Sequence, residues 1–333
     1  MGKRNSVIWL FMLLIAVILL FSACGGSGNS GGDGDPGNQI GSLLNDIFHY
    51  SKETVEEDES LPDRDNTPLV LINSADGLAI FEGHGAAVDY SNASEGYIMA
   101  RYDGENPKVK IRIKKDDGET YTYDVAPNEG FAGFPLSDGN GAYTIIMYLN
   151  IEDDLYSQAC AEQIYVEVND EFSPFLRPNQ YSNFTGETLA VAKGAEVAQS
   201  SKSSLKVIER AFIYITENVE YDYHKAANVQ SGYIPDVDDT LTTGMGICFD
   251  YASLMTCMLR SQGIPCKLVV GYAGPAYHAW ISVYVEGIGW VANMIQFNGD
   301  TWTLMDPTFA AGGDRADPNL VGDGETYNPV YYY

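Results

Sequence analysis

One cysteine, one histidine and one aspartate follow each other in the second half of this 333-residue chain, in an order that suits thiol chemistry. Cys248 opens an apolar run, His278 follows it by 30 residues, and Asp306 follows His278 by 28. A thiol becomes an effective nucleophile when an imidazole takes its proton and a third group holds that imidazole in place. The three residues therefore predict a Cys-His-Asp catalytic triad.

The hydrophobic pattern predicts the element that must position the cysteine. Residues 247–262 are typical of a helix, and the Gly-Ile-Pro sequence that follows would end it. Cys248 lies in the first turn, where the helix amides favour a thiolate and could supply an oxyanion donor. Gly244 and Gly246 just before it would let the backbone come close to a substrate carbonyl. Further helices are predicted near Thr188 and at 203–219, with a loop at 221–246.

Strands are predicted after the Cys248 helix, at residues 266–272, 278–286, 289–297 and 301–306, with Asn298–Asp300 as a hairpin turn. His278 begins one of these strands and Asp306 ends another. The two side chains can meet if their strands lie side by side and antiparallel. Trp280, two residues after His278, would point to the same face of the sheet and shield the site.

The stretches GMGICFDYASLM, HAW and MDPTF together resemble the transglutaminase-like superfamily, over about residues 205–310. The resemblance implies an α+β, papain-like catalytic domain. Cys248 would attack an amide carbonyl, His278 would move the proton and Asp306 would orient the imidazole. Many relatives reach the aspartate sooner after the histidine, so Asn293 is a second choice for the third member.

The resemblance also has departures. The transglutaminases of this superfamily share a tryptophan upstream of the cysteine, and that tryptophan stabilises the oxyanion. No tryptophan lies upstream of Cys248 within this domain. Tyr221 or Tyr223 could substitute. Because bacterial relatives more often resemble hydrolases, we expect hydrolysis of amide or peptide bonds in a protein, a peptide or a cell-wall peptide. Protein cross-linking by transamidation and a catalytically idle scaffold that binds peptide or wall polymer are the alternatives.

No cofactor or metal is expected. The calcium-binding insertions of the animal enzymes are not recognisable, and the chain has no clustered Cys/His spacing of the kind that binds zinc.

Residues 66–172 predict an all-β domain before the catalytic domain, which would occupy 173–333. Residues 108–114 alternate strictly between charged and apolar side chains, and further strands are predicted at 96–102, 120–125, 142–149 and 163–168. Short antiparallel strands over about a hundred residues are typical of an immunoglobulin-like sandwich. Its tyrosines could line a carbohydrate platform or, as is more common, simply pack; they are Tyr97, Tyr102, Tyr121, Tyr123, Tyr143 and Tyr148.

The N-terminal residues predict export and a lipid anchor. Lys3 and Arg4 precede fifteen apolar residues, so residues 1–23 are typical of a signal peptide. The sequence Phe-Ser-Ala before Cys24 resembles a bacterial lipobox, in which that cysteine becomes diacylated. Residues 24–65, rich in glycine and acidic side chains, predict a flexible tether. We therefore expect a lipoprotein on the extracytoplasmic face of a bacterial membrane.

The formal net charge of −27 excludes nucleic acid as a partner, because phosphate contacts need lysine and arginine. Solubility or a positively charged substrate would fit this acidity. Of the five cysteines, Cys24 and Cys248 have predicted roles, which leaves Cys160, Cys257 and Cys266, of which at least one must stay unpaired.

Replacing Cys24 with alanine should abolish membrane anchoring, because it removes the thiol that would carry the lipid. We expect the Cys24→Ala protein in the soluble fraction, or as an uncleaved precursor of higher mass, in a membrane fractionation followed by mass spectrometry. A matched Cys160→Ala variant should remain in the membrane fraction. Anchoring of Cys24→Ala at the mature mass would contradict the lipid anchor.

Overall fold

The computed structural model describes residues 57, 59–291, 295–297, 302–304 and 327–333, all within one compact unit, Ser51–Tyr333. Within these ranges, no helix combines the length and apolar character that a membrane crossing requires. Cys24, Asn293 and Asp306 lie outside the described residues, as do the predicted signal peptide and most of the predicted tether.

The first half of the described chain consists of eight strands. Their bounds are β1 Ile80–Gly83, β2 Ala86–Asp89, β3 Tyr97–Tyr102, β4 Val109–Lys115, β5 Thr120–Val125, β6 Ala132–Pro135, β7 Gly141–Glu152 and β8 Leu155–Val166. They form two antiparallel sheets, in the orders β1-β2-β3-β6 and β5-β4-β7-β8. Strand β4 alternates as predicted, since Val109, Ile111 and Ile113 are buried in the shared core.

The structure extends the predicted strands and decides the role of the tyrosines. Strands β1, β2 and β6 were not predicted, because each has only four residues, which is too few to show an alternating hydrophobic pattern. Strand β8 begins eight residues before the predicted 163–168. Five of the six tyrosines are buried and Tyr148 is half-buried, so these side chains pack rather than form a platform. The immunoglobulin-like identity of this half and the domain boundaries stay predictions.

The second half mixes helices with strands, which confirms the α+β class. Its helices are α1 Leu189–Ala198, α2 Ser204–Asn218, α3 Tyr223–Asn228, α4 Val237–Thr243 and α5 Cys248–Arg260. Its strands are β9 Glu220–Tyr221, β10 Met245–Gly246, β11 Cys266–Ala273, β12 Ala276–Val285, β13 Gly289–Val291, β14 Ile295–Phe297, β15 Trp302–Leu304 and β16 Tyr327–Tyr332. Helix α5 is buried from Asp250 onwards and packs against helices α1, α2 and α4 and strands β11 and β12.

Two features of this half differ from the sequence prediction. The predicted loop at 221–246 contains α3 and α4, because the carboxylates of Asp222 and Asp236 accept backbone N–H bonds and cap them. Among the described residues, the strand of His278 does not pair with β15, which is the described part of the predicted strand at 301–306. Strand β12 pairs with β11 and β13, whereas β15 pairs with β14 in a separate sheet of the described residues.

A cluster of tyrosines joins the two halves. The ring of Tyr333, which follows β16, contacts Tyr181 at 4.6 Å, Tyr121 at 5.6 Å and Tyr123 at 5.8 Å between centroids, in edge-to-face geometry. Tyr121 and Tyr123 belong to β5, so this cluster ties the β half to the sheet that carries His278. The buried core accordingly runs through both halves without interruption.

Four buried tyrosines, three of them in this cluster, should make the protein sensitive to alkali. Burial is the main cause that raises the pKa values of Tyr121, Tyr123, Tyr143 and Tyr333 in the folded state. The unfolded chain loses these protons near pH 10 and the native chain keeps them, so stability is fully present below about pH 10. Above it, the free energy of unfolding should fall by about 1.4 kcal/mol per pH unit for each such tyrosine.

Urea unfolding from about pH 8 to 11, with tyrosinate absorbance as a second probe, measures this slope. Tyr123→Phe is the matched variant, because the buried Tyr123 hydroxyl has no hydrogen-bond partner within the described part of the chain. We expect it to retain stability at neutral pH and to reduce the alkaline slope by one tyrosine. Stability that is constant up to about pH 11 would contradict the prediction.

Candidate active site

Cys248 is the first residue of helix α5, as the sequence predicts for the first turn. The glycines before it have local structural roles, and their approach to a substrate carbonyl stays a prediction. Gly244 ends α4 with a positive φ of 63°, and a Cβ on Gly246 would lie 2.7 Å from the Cβ of Asp250. Cys248 is half-buried, whereas Cys160, Cys257 and Cys266 are buried, and all four are free thiols.

His278 lies near the start of β12 and is 7% exposed. Trp280 is on the same face of the strand as predicted, and its ring stacks with the imidazole at 6.1 Å between centroids. Gly271 faces His278 from β11, where a Cβ would lie 3.0 Å from the indole of Trp280 and closer still to the backbone of β16. The glycine therefore allows β16 and the indole to approach the sheet beside His278.

Cys248 and His278 line the same cavity, which has a volume of about 550 Å³. The N-terminus of α5 and the start of β12 bring the thiol and the imidazole to one place. The structure does not describe the third predicted member, Asp306, or the second choice for it, Asn293.

The two tyrosines predicted as support have different positions. Tyr221 lines the cavity, because β9 pairs in parallel with β10 and thereby places Tyr221 opposite Gly246. Tyr223 is 47% exposed and is not among the residues that line the cavity, although its ring contacts that of Tyr221 at 4.9 Å. Of the two, Tyr221 is the one on the cavity wall.

A buried carboxylate two residues after the cysteine is bonded to one wall of the cavity, and sequence reasoning missed it. Asp250 is fully buried, and it accepts hydrogen bonds from the Tyr233 hydroxyl at 2.5 Å and from the backbone N–H of Ile247 at 2.8 Å. The ammonium of Lys225 lies 2.8 Å from it. Residues 229–233 line the cavity, so Asp250 fixes this wall relative to the helix of Cys248.

Both donors keep their protons at neutral pH. Burial and the hydrogen bond to Asp250 raise the pKa of Tyr233 to about 12. Burial by itself lowers the pKa of Lys225, but the hydrogen bonds to Asp250 and Tyr233 outweigh it and raise the value. The acidic residue three positions after Ile247 is a signal for a helix start that could have identified Asp250 from sequence.

The comparison with known families finds a match in the second half of the chain. The sequence model of the transglutaminase-like superfamily matches residues 191–293, a span that includes Cys248 and His278 and ends before Asp306. Residues 191–293 are therefore a transglutaminase-like domain.

Two curated relatives each match less than half of this chain. Mouse kyphoscoliosis peptidase is 28% identical over 150 residues, which cover 41% of this chain and 20% of that protein. A protein-glutamine gamma-glutamyltransferase of Pseudomonas aeruginosa is 34% identical over 98 residues, or 27% of this chain and 14% of that protein. The chain thus spans a fifth or less of the length of these two relatives.

The similar solved structures share little sequence with this chain. A candidate cysteine protease from Cytophaga hutchinsonii is 16% identical and covers 71% of this chain and 83% of its own, with a TM-score of 0.35. Red sea bream transglutaminase is 12% identical and covers 66% of this chain and 49% of its own, with a TM-score of 0.27.

Removing a member of the Asp250 network should lower the free energy of unfolding, and the loss should be larger when more hydrogen-bond donors are left unpaired. We expect Tyr233→Phe to lower the free energy of unfolding by about 1–2 kcal/mol, and Asp250→Ala by about 3 kcal/mol or more, because Lys225 then stays charged without its partner. Urea unfolding at neutral pH measures both, and Tyr165→Phe on an exposed site is the control. If Asp250→Ala and the control unfold at the same urea concentration, this carboxylate does not hold the wall.

Proposed function

We propose that this protein is a thiol acyl-transfer enzyme that hydrolyses amide or peptide bonds. The observation that supports it best is that a cysteine at a helix N-terminus and a buried histidine line one cavity. Helix amides stabilise negative charge at that end, where an oxyanion would develop. In the proposal His278 is the base, and Asp306 orients its imidazole as the MDPTF motif implies.

The proposed reaction passes through a thioester. The Sγ of Cys248 attacks the amide carbonyl carbon while His278 takes its proton, and the developing oxyanion can be met by helix amides and by the Tyr221 hydroxyl. His278 then gives the proton to the leaving amine as the C–N bond breaks. It next takes a proton from water, which attacks the thioester, releases a carboxylic acid and restores the thiol.

Hydrolysis is proposed over transamidation because no tryptophan precedes Cys248 in the domain; Tyr221 lines the cavity together with Cys248 instead. The curated relatives include both a peptidase and a glutamyltransferase, so an amine acceptor is the second candidate. An idle scaffold in the same cavity is the third. The proposed substrate is a protein or peptide, which includes the peptides of a cell wall.

We also propose that the enzyme acts outside the bacterial membrane, held by a lipid on Cys24. The apolar stretch before Cys24 and the glycine-rich stretch after it support this location. A tether of some 40 residues would let the catalytic domain reach on the order of 35 Å from the lipid surface, into the surrounding wall.

Cys248 should react fastest of the four described cysteines with iodoacetamide at neutral pH. Burial raises the pKa values of Cys160 and Cys266 to about 11 and raises that of Cys257 as well, so these three stay protonated. His278→Ala should slow alkylation of Cys248 by about tenfold or more, because it removes the base. Asp306→Asn should slow it less, since the imidazole remains. Peptide mapping by mass spectrometry gives each rate.

His224→Ala is the matched control, because His224 is exposed on α3 and lies outside the cavity lining. It should leave the Cys248 rate unchanged. Equal Cys248 rates in wild type, His278→Ala and the control would contradict the proposed chemistry and favour the scaffold. Peptides trapped on Cys248 as thioesters, released by water or by an added primary amine, would distinguish hydrolysis from transamidation.

A further inference from the structure

Aromatic rings make up much of the wall of the cavity beside Cys248. Six aromatic side chains line it: Tyr181, Tyr221, Tyr233, Phe249, Tyr277 and Tyr333. Aliphatic side chains such as Val229 and Val270 fill positions between them, and Gln230 and Ser231 contribute uncharged polar groups. Rings of this kind offer large apolar contact area together with a few hydrogen-bonding hydroxyls.

None of the described residues that line this cavity is an aspartate, glutamate, lysine or arginine. Behind the wall, Asp250 and Lys225 lie 2.8 Å apart and neutralise each other, and Asp250 is fully buried. Burial is the main cause that raises the pKa of Tyr181 to about 12, and it raises the pKa of Tyr277 as well. These phenols therefore stay uncharged at neutral pH.

A charged side chain that entered such a cavity would lose its hydration and find no aspartate, glutamate, lysine or arginine on the described wall. That desolvation is costly for an ammonium or a carboxylate and favourable for an apolar group. The volume of about 550 Å³ lies within the range of about 300–1,000 Å³ that is typical of small-ligand sites, so a full aromatic side chain fits.

We propose that this cavity receives an uncharged aromatic or large aliphatic side chain on the acyl side of the bond that Cys248 attacks. The inference rests on the proposed function, since it assigns the substrate class of the same site. In this proposal the cavity selects apolar side chains. The net charge of −27 therefore does not make a cationic side chain the preferred one.

The test uses four N-acetyl-aminoacyl chloromethyl ketones, with the side chains of phenylalanine, leucine, lysine and glutamate. Each places its side chain next to a carbonyl carbon and alkylates the attacking thiol. The rate of Cys248 alkylation is measured by peptide mapping and divided by the iodoacetamide rate of the same protein. We expect the phenylalanine and leucine reagents to react about tenfold or more faster than the lysine and glutamate reagents.

Tyr277 and Tyr272 offer a matched pair of variants. They face each other across β11 and β12, their rings are 5.5 Å apart, and both are largely exposed, but only Tyr277 lines the cavity. Tyr277→Ala should reduce the preference for phenylalanine over lysine several-fold, whereas Tyr272→Ala should retain the wild-type preference.

The outcomes separate the two proposals. If iodoacetamide labels Cys248 no faster than the buried cysteines, the proposed chemistry fails. If iodoacetamide labels Cys248 fast but the four ketones react alike, or the lysine or glutamate reagent reacts fastest, only the substrate class is wrong. Equal loss of preference in Tyr277→Ala and Tyr272→Ala would assign the selectivity to the hairpin as a whole and overturn the role of the cavity wall.

Discussion

Helix α5 is enclosed by protein on almost every side, and this burial constrains the rest of the catalytic half. The polar groups at the ends of a helix cannot stay unpaired away from water, so each end of α5 must be satisfied from within. At the N-terminal end Asp250 accepts from the backbone of Ile247. At the C-terminal end the backbone N–H groups of residues 261–264 donate to the carbonyl oxygens of Cys257, Leu259 and Arg260. The fully buried guanidinium of Arg260 donates in turn to the carbonyl oxygens of Arg177, Cys266 and Tyr333.

This solution places an acid in the first turn and a base in the last turn of α5, which also suits the helix dipole. Each of the two residues connects the helix to other segments. Asp250 connects it to the cavity wall through Lys225 and Tyr233, and Arg260 connects it to β11, to the residue after β16 and to the segment between the two halves. Cys248 therefore projects from a helix that is fixed at both ends.

The tyrosine cluster around Tyr333 gives the β half a structural part in the same site. Tyr333 lines the cavity, and its ring also packs against Tyr121 and Tyr123 of β5. A shift of the β half would therefore move one wall of the cavity. The many tyrosines of this chain act mainly as packing groups with polar tips, which explains why most of those predicted on the strands are buried.

Local pattern determined much of this protein. The apolar run at 247–262 predicted a helix that the structure has at Cys248–Arg260, and the alternation at 108–114 predicted β4. Both are periodicities within one segment, so they need no knowledge of distant residues. Only the tertiary structure decided that Lys225 and Tyr233 meet at Asp250, that β16 joins the sheet of His278, and that β12 has β13 and β11 as its neighbours. These contacts depend on which segments pack together across long stretches of chain, and the pattern of any one segment does not contain that information.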